Sequence, residues 1–216
     1  MKDVVARGVL GDITRVEIKQ GTPPRDFPPI SDPNHWWHKL NGGIYGDSLS
    51  HPLYLARFFL GNIEPVMVYG NKLGIYEHLP IDEVQIILKG EQGVGTIISS
   101  CNIPSLWEVD IYGTKKIAHG ELNNSYLVVY DCKTNNGRGI LSSYIKGNIN
   151  RSLQILTSSI ITGKKMLSRE NRGHFVQIRR FYESMQKGKE IPITGEDDRE
   201  ITRLQELVIE RMKDTW

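Results

Sequence analysis

The chain has 216 residues, 39% hydrophobic and 24% charged, which is an ordinary composition for a globular protein with a sizeable core. Its 27 basic and 25 acidic residues give a net charge of +2, so charge provides no reason to expect a nucleic acid or a membrane as partner. No apolar run approaches the roughly 18 residues of a transmembrane helix. The first residues are too polar for a signal peptide, and a cytoplasmic location is the default expectation.

The N-terminal part is predicted to contain a short helix, a strand and a long loop. Residues 2–8 resemble the last turns of a helix, which Gly8 and Gly11 can end. Apolar and charged residues alternate over Ile13–Gln20, and this alternation predicts a strand. Residues 21–35 contain five prolines, which predicts an extended surface loop at a ligand site or a subunit contact.

The middle of the chain has the composition of β-structure. Six strand-like segments lie between residues 65 and 131, and no helix-length segment separates them. The connection Lys89–Gly93 predicts a hairpin in which Ile86–Leu88 face Thr96–Ile98. We therefore expect an α+β fold with an open, predominantly antiparallel sheet. Aliphatic residues occur on both faces of these strands, so one face can pack helices and the other is available for self-association.

The last third of the chain is predicted to be helical. Apolar residues recur at three- and four-residue spacing over 174–188, where Gly188 can end the helix. Thr194 and the acidic residues at 196–198 are typical of the start of a final helix. Leu153–Ile161 is a further candidate, and we treat residues 1–216 as one domain.

Nucleotide binding by this chain alone is not expected. A dinucleotide-binding turn needs closely spaced glycines between a strand and a helix, and no G-x-G-x-x-G occurs. Gly93-Val94-Gly95 lies in the predicted hairpin, and Gly137-Arg138-Gly139 follows two asparagines in a predicted turn. A phosphate-binding GxxxxGK[ST] loop is also absent.

Metal binding has little support in the sequence. His35-x-x-His38 could in principle converge with Asp47 and His51 on a divalent ion, but no second HxxH or CxxC accompanies it. The two cysteines, Cys101 and Cys132, belong to strand-like segments. Two thiols do not make a disulfide framework, so we expect both to be reduced and buried.

Asp47 and His51 are the candidate acid/base pair. A carboxylate four residues before an imidazole lies on the same side of a continuous helix and can orient it. Pro52 complicates this geometry, since proline disfavours a helical residue before it and cannot donate to the carbonyl of Ser48. Either the helix begins at Pro52 with His51 at its cap, or it is kinked there. The alternative is a structural role, with the aspartate as a cap and the histidine partly buried.

The segment GGIYGDSLSH resembles the GG-x-x-x-D-x-G-x-H signature of the glucose–fructose oxidoreductase / inositol dehydrogenase (Gfo/Idh/MocA) family. Four other segments resemble motifs of its C-terminal domain in the same order: LGDITRVEI, NHWWHKLNGG, VDIYGTKK and KGKEIPITGEDDREITRLQELVIE. Leu49 stands where the signature has a glycine between its aspartate and its histidine, and Tyr54 stands where a second aspartate is common.

This resemblance implies the substrate-binding and oligomerisation domain of an NAD(P)-dependent oxidoreductase for a sugar, polyol or related hydroxy compound. It implies that His51 is the proton-transfer residue, that Asp47 lies beside it, and that Trp37 borders the substrate. NAD(P) would be bound by a separate nucleotide-binding domain, and the open sheet would form a homo-oligomer. A non-catalytic scaffold and a cofactor-independent isomerase or hydrolase are the alternatives.

Overall fold

The computed structural model describes residues 1–22, 27–74, 76–131, 140–167, 173–188, 191 and 193–213. Its centre is a seven-stranded sheet with the order β2-β3-β4-β1-β5-β6-β7. The strands are β1 (Ile13–Gly21), β2 (Ile63–Asn71), β3 (Glu83–Gly90), β4 (Val94–Ser100), β5 (Leu106–Gly113), β6 (Ile117–Glu121) and β7 (Tyr126–Tyr130).

All neighbouring strands are antiparallel except one central pair. β1 pairs in parallel with β4, where Val16 lies opposite Gly95, and in antiparallel with β5, where Val16 lies opposite Ile111. The sequence predicted the antiparallel character but not this parallel pair. The expectation of an α+β fold with an open, predominantly antiparallel sheet is confirmed.

The predicted hairpin joins β3 to β4. Its register places Ile86 opposite Ile97 and Ile87 opposite Thr96. Alternation along β3 buries Val84, Ile86 and Leu88 and leaves Ile87 exposed on the other side of the sheet. The two faces therefore differ, because the first three side chains belong to the core and the last one does not.

Seven α-helices and one 3₁₀ helix occur within the described residues. They are α1 (Lys2–Ala6), α2 (Pro28–Ser31), the 3₁₀ helix Trp36–Lys39, α3 (Tyr45–Ser48), α4 (Ser50–Leu60), α5 (Ile140–Leu167), α6 (Gly173–Lys187) and α7 (Gly195–Lys213). α4 contacts the central strands and α7, and α7 also contacts β2. Leu53 and Leu60 of α4 and Leu204 and Val208 of α7 are fully buried, so these two helices close one face of the sheet.

The predicted 21–35 loop is only partly irregular. It contains α2, which has prolines in its first turn, where a missing N–H costs no hydrogen bond. The expected Leu153–Ile161 helix is the middle of a longer helix, α5. The predicted 174–188 helix is confirmed as α6, and Gly188 follows it with a φ of 59°.

The final helix has a reciprocal cap at its start. The Asp197 N–H donates to Oγ1 of Thr194 at 3.1 Å, while the Thr194 N–H and hydroxyl both donate to Oδ2 of Asp197. This arrangement satisfies backbone donors that the first turn of a helix leaves unpaired. The predicted start of the last helix is therefore confirmed in atomic detail.

None of the described helices is long and apolar enough to cross a lipid bilayer. Cys101 is a buried free thiol, and burial raises its pKa to about 12. Cys132 lies outside the described residues, as does the Gly137-Arg138-Gly139 segment.

Candidate functional site

The candidate site begins at the junction of α3 and α4. Leu49 joins the two helices with φ and ψ of −72° and −20°, and the Leu53 N–H donates to its carbonyl. Pro52 is the third residue of α4, so its missing N–H removes the bond that the Ser48 carbonyl would otherwise accept. The structure has neither predicted alternative in full: α3 ends at Ser48 and α4 begins at Ser50, so the interruption is at Leu49 and His51 lies in the first turn of α4.

Two glycines bring this junction close to α7. Gly42 and Gly43 have φ of 81° and 59°, a conformation in which other residues are strained. A Cβ at Gly42 would lie 2.7 Å from Cγ1 of Ile209 in α7. Gln205 of α7 donates to the carbonyls of Tyr45 and Gly46. Gly42 thus permits the close approach of the α3–α4 junction to the final helix, and the Gln205 hydrogen bonds hold the two together.

His51 is exposed at the wall of a cleft of about 560 Å³. The cleft combines aromatic, apolar and hydroxyl-binding groups from α4, β5, α6 and α7. Its lining residues are Ser50, His51, Tyr54, Leu55, Trp107, Gln177, Ile193, Asp197, Asp198 and Ile201. Such a mixture of an aromatic surface and a few polar groups is typical of a small-molecule site.

Asp47 and Trp37 do not line this cleft. Within the described part of the chain, no hydrogen bond or ion pair joins the Asp47 carboxylate to His51, although the Asp47 carbonyl accepts from the hydroxyl of Ser50 at 3.1 Å. Trp37 packs against Phe27, with ring centroids 5.6 Å apart, and against the core. Of the three predicted residues, the structure brings only His51 to the cleft.

The cleft residues from other elements were not predicted. Trp107 is the second residue of β5, and Asp197 and Asp198 lie in the first turn of α7. Tyr54 could have been found, because it lies one helical turn after His51 and stands at the family position that often carries an aspartate. No local signal marks Trp107 as a cleft residue, because its place in the sheet depends on pairing with the distant strand β1.

Charges at the end of the cleft are partly compensated. Nη1 of Arg57 lies 3.2 Å from Oδ1 of Asp197. The donors of Thr194, together with Arg57, lower the pKa of Asp197 below its ordinary value. The pKa of Tyr54 is raised by burial and then by the Asp197 charge. The cleft therefore presents an ionised carboxylate and a neutral phenol at neutral pH.

A second cavity of about 280 Å³ lies at the other end of α7, where His38 and His78 meet with ring centroids 5.0 Å apart. Burial and then the neighbouring His78 lower the pKa of His38. His35 is not directed there, since its Nδ1 accepts the Trp37 N–H. No group of three His, Cys, Asp or Glu side chains among the described residues is placed to hold a metal ion.

A nucleotide cofactor does not fit the described residues. The one parallel pair, β1 and β4, is not joined by a glycine-rich turn leading directly from a strand into a helix. Gly93 and Gly95 belong to the β3–β4 hairpin and its following strand, as predicted. We therefore assign no residue of this chain to a dinucleotide.

Comparison with known proteins identifies the family. The model of the GFO/IDH/MocA C-terminal domain matches residues 1–119, which include the whole α3–α4 junction. The chain belongs to the GFO/IDH/MocA family. The predicted family membership is thereby confirmed. No curated protein matches the chain.

Solved dehydrogenases share this fold. The WlbA dehydrogenase from Bordetella pertussis, in complex with NADH and UDP-GlcNAcA, superposes with a TM-score of 0.68 at 15% identity and covers 100% of this chain. Levoglucosan dehydrogenase, in complex with NADH and L-sorbose, superposes with a TM-score of 0.66 at 15% identity and covers 99% of this chain. UDP-N-acetylglucosamine 3-dehydrogenase GnnA from Acidithiobacillus ferrooxidans superposes with a TM-score of 0.62 at 14% identity and covers 99% of this chain. The match covers 58%, 60% and 57% of these three proteins, so this chain spans under two thirds of their length.

Proposed function

We propose that this chain is the substrate-binding part of an NAD(P)-dependent oxidoreductase that acts on a sugar, a polyol or a related hydroxy compound. The observation that carries the proposal is the position of His51, exposed in the wall of a cleft that also contains Trp107 and two carboxylates. Three structural neighbours are dehydrogenases whose names or bound molecules are sugars or sugar nucleotides, which supports the same class of substrate.

The cleft suits a polyhydroxylated ring. The flat face of Trp107 can cover the apolar C–H face of a sugar, as aromatic side chains do for other amphipathic ligands. The amide of Gln177, the hydroxyl of Ser50 and the carboxylates of Asp197 and Asp198 can pair with ring hydroxyls. Bound in this way, a substrate carbinol would lie beside the imidazole of His51.

His51 would act as the general base. In its neutral form the imidazole has a free ring nitrogen that can accept the proton of the substrate hydroxyl. As the O–H bond breaks, the oxygen electrons form the carbonyl and the hydrogen on carbon leaves as hydride. The hydride acceptor would be held by a separate nucleotide-binding domain, because the described residues offer it no site. Asp47, one turn before His51, would orient the imidazole or the substrate once that domain completes the site.

Binding by the isolated chain tests the proposal. We expect NMR titration with myo-inositol and with UDP-N-acetylglucosamine to shift the Trp107 indole N–H and the His51 ring signals with millimolar affinity. Trp107→Ala should weaken the binding by about tenfold, the cost of one stacked aromatic contact. The matched control is Trp36→Ala, which removes a tryptophan that is 56% exposed and outside the cleft. Shifts at His38 and His78 with none at Trp107 would contradict the proposed site.

Nucleotide binding separates this proposal from its competitors. We expect no heat of binding when NADH is titrated into the chain, and micromolar binding would contradict the need for a separate domain. A cofactor-independent isomerase or hydrolase would instead turn over substrate as the isolated chain and lose that activity in His51→Ala. A scaffold protein would show no sugar-dependent shift at His51.

The sheet face that does not carry α4 and α7 is proposed as a homo-oligomer interface. Met67, Tyr69 and Ile87 are between 42% and 57% exposed along the β2–β3 part of this face. Light scattering should show a self-associated species that Ile87→Lys dissociates. Leu73→Lys is the control, since Leu73 is 57% exposed but follows β2 in a loop. A monomeric wild-type chain at high micromolar concentration would contradict this interface.

A further inference from the structure

Helix α5 is attached to the sheet through polar side chains. Oε1 of Gln154 accepts the Val129 N–H at 2.8 Å, and Nε2 of Gln154 donates to the Val129 carbonyl at 3.0 Å. Oγ1 of Thr162 donates to the Ser125 carbonyl at 3.1 Å. The amide of Gln154 thus pairs with β7 as the peptide group of a further strand would, and it protects the last edge of the sheet.

The opposite side of α5 is aliphatic and exposed. We call its five residues the outer stripe: Ile145, Ile149, Leu153, Leu156 and Ile160. They follow one another at spacings of four, four, three and four residues, which confines them to an arc of about 80° at ~100° per residue. Gln154 and Thr162 lie on the other side of the helix. Each residue of the stripe is at least half exposed, the lowest being Ile145 at 51%.

A continuous aliphatic stripe of this length is unusual on a surface. Five such side chains extend over about 22 Å of helix at ~1.5 Å per residue. Single exposed leucines are common, whereas contiguous apolar surface indicates a site of interaction. An ordinary surface helix turns its apolar side inward, and α5 has the reverse arrangement.

Charge on this part of the chain is one-sided. Four basic and no acidic residues lie within α5. The wider segment 132–182 contains ten of the 27 basic residues and only one of the 25 acidic residues, a net charge of +9. The remaining residues, with 17 basic and 24 acidic side chains, carry a net charge of −7. The overall charge of +2 therefore conceals a strongly basic segment beside an acidic remainder.

The basic side chains border the outer stripe. Lys146 and Lys164 are eighteen residues apart, which is five full turns, so both lie on the same side of the helix, about 20° around it from Leu153. One lysine is near each end of the outer stripe. Arg151 is occupied elsewhere, because its guanidinium lies 3.9 Å over the ring of Tyr130. The surface that faces solvent is thus an aliphatic stripe with lysines along its side.

We propose that α5 docks this protein on an anionic membrane surface. The outer stripe would lie at the boundary between headgroups and acyl chains, and Lys146 and Lys164 would contact lipid phosphates. A nucleic acid would pair with the lysines but leave the aliphatic side chains exposed. A second copy of the chain would cover the stripe but bring two basic segments together. An anionic bilayer is complementary to both features.

Vesicle flotation tests the proposal with the chain as it stands. We expect flotation with vesicles of phosphatidylcholine and phosphatidylglycerol, weaker flotation as salt rises, and none with phosphatidylcholine alone. Leu153→Glu should lower the bound fraction at least about tenfold, because it puts a charge into the stripe. Ser159→Glu is the matched control: it adds the same charge to α5 at an exposed position outside the stripe and should retain most of the binding.

The double variant Lys146→Gln with Lys164→Gln tests the charge contribution. It should weaken flotation about thirtyfold if each lysine contributes roughly 1 kcal/mol. It also tests the proposal if Leu153→Glu fails to fold. Several results would overturn the proposal. These are no flotation with the anionic vesicles, equal flotation with both vesicle types, or equal loss in Leu153→Glu and Ser159→Glu. A dimer that Leu153→Glu dissociates, without flotation, would assign the stripe to a second copy instead.

Discussion

The two long helices α7 and α5 are attached to the same sheet in opposite ways. α7 buries Leu204, Val208 and Met212 against the face that α4 also covers. α5 turns its polar side toward β7 and its aliphatic side away from it. The first helix is fixed by burial of apolar surface, which is non-directional and large, and the second by a few directional hydrogen bonds. An amphipathic pattern therefore establishes that a helix exists, but not which side faces the protein.

The largest predicted difference between the two helices is the cost of truncating a leucine. Leu204→Ala should lower the free energy of unfolding by about 2–5 kcal/mol, because it leaves a cavity in a closed core. Leu156→Ala removes the same atoms from an exposed position and should change it by about 0.5 kcal/mol or less. Urea denaturation of both variants measures this contrast. Equal costs would show that the outer stripe is buried in solution.

A smaller and more local effect is expected at the polar attachment of α5. Gln154→Ala removes both hydrogen bonds to Val129. This should lower the free energy needed to open the β7 edge locally by about 1–2 kcal/mol. Hydrogen exchange at the Val129 amide should then be about tenfold faster or more. Ser152→Ala, on an exposed part of the same helix, should leave the rate unchanged. No change in Gln154→Ala would mean that other contacts hold α5.

The smallest expected effect concerns acid and the start of α7. The pKa of Asp197 is lower in the folded chain than in the unfolded one, so the unfolded chain takes up the proton first. Its stabilising contribution is complete above the ordinary carboxyl pKa and is lost as pH falls through the lowered value. In Asp197→Asn, stability should therefore fall less as the pH is lowered. Urea midpoints measured between neutral pH and about pH 2 report this dependence. Asp198→Asn is the control. If the urea midpoint of Asp197→Asn fell with pH as steeply as that of the unchanged chain, the cap would be contradicted.

The elements with a strong local signal were predictable. Three- and four-residue spacing located α6, the Thr194 and acidic-residue signal located the start of α7, and a short glycine-containing connection located the β3–β4 hairpin. The sequence predicted that α4 begins at Pro52 or is kinked there, whereas the helix is interrupted at Leu49 and α4 begins at Ser50. The parallel pairing of β1 with β4 was not predictable, because strands far apart in sequence carry no local record of their partners.

The same reason limits the site. His51 could be singled out because its signature is local, and the structure places it in the cleft. Trp107 and Asp197 reach that cleft from β5 and α7, and only the tertiary arrangement brings them there. Trp37, which the resemblance places at the substrate, packs against Phe27 and the core, and its place at the substrate stays a prediction. The net charge of the whole chain gives no information about how charge is distributed along the sequence.

The insertion of β1 between β4 and β5 shapes the folding route of the chain. β4 and β5 are consecutive in sequence and yet do not pair, because β1 lies between them in the sheet. The series β2–β4 and β5–β7 have short connections and can form early from contacts of low sequence separation. Until β1 joins them, each series has a bare inner edge that can pair with another chain. Docking of β1 is then the slow, high-contact-order step, and a chaperone that holds this N-terminal strand apart would stall the protein as two separate meanders.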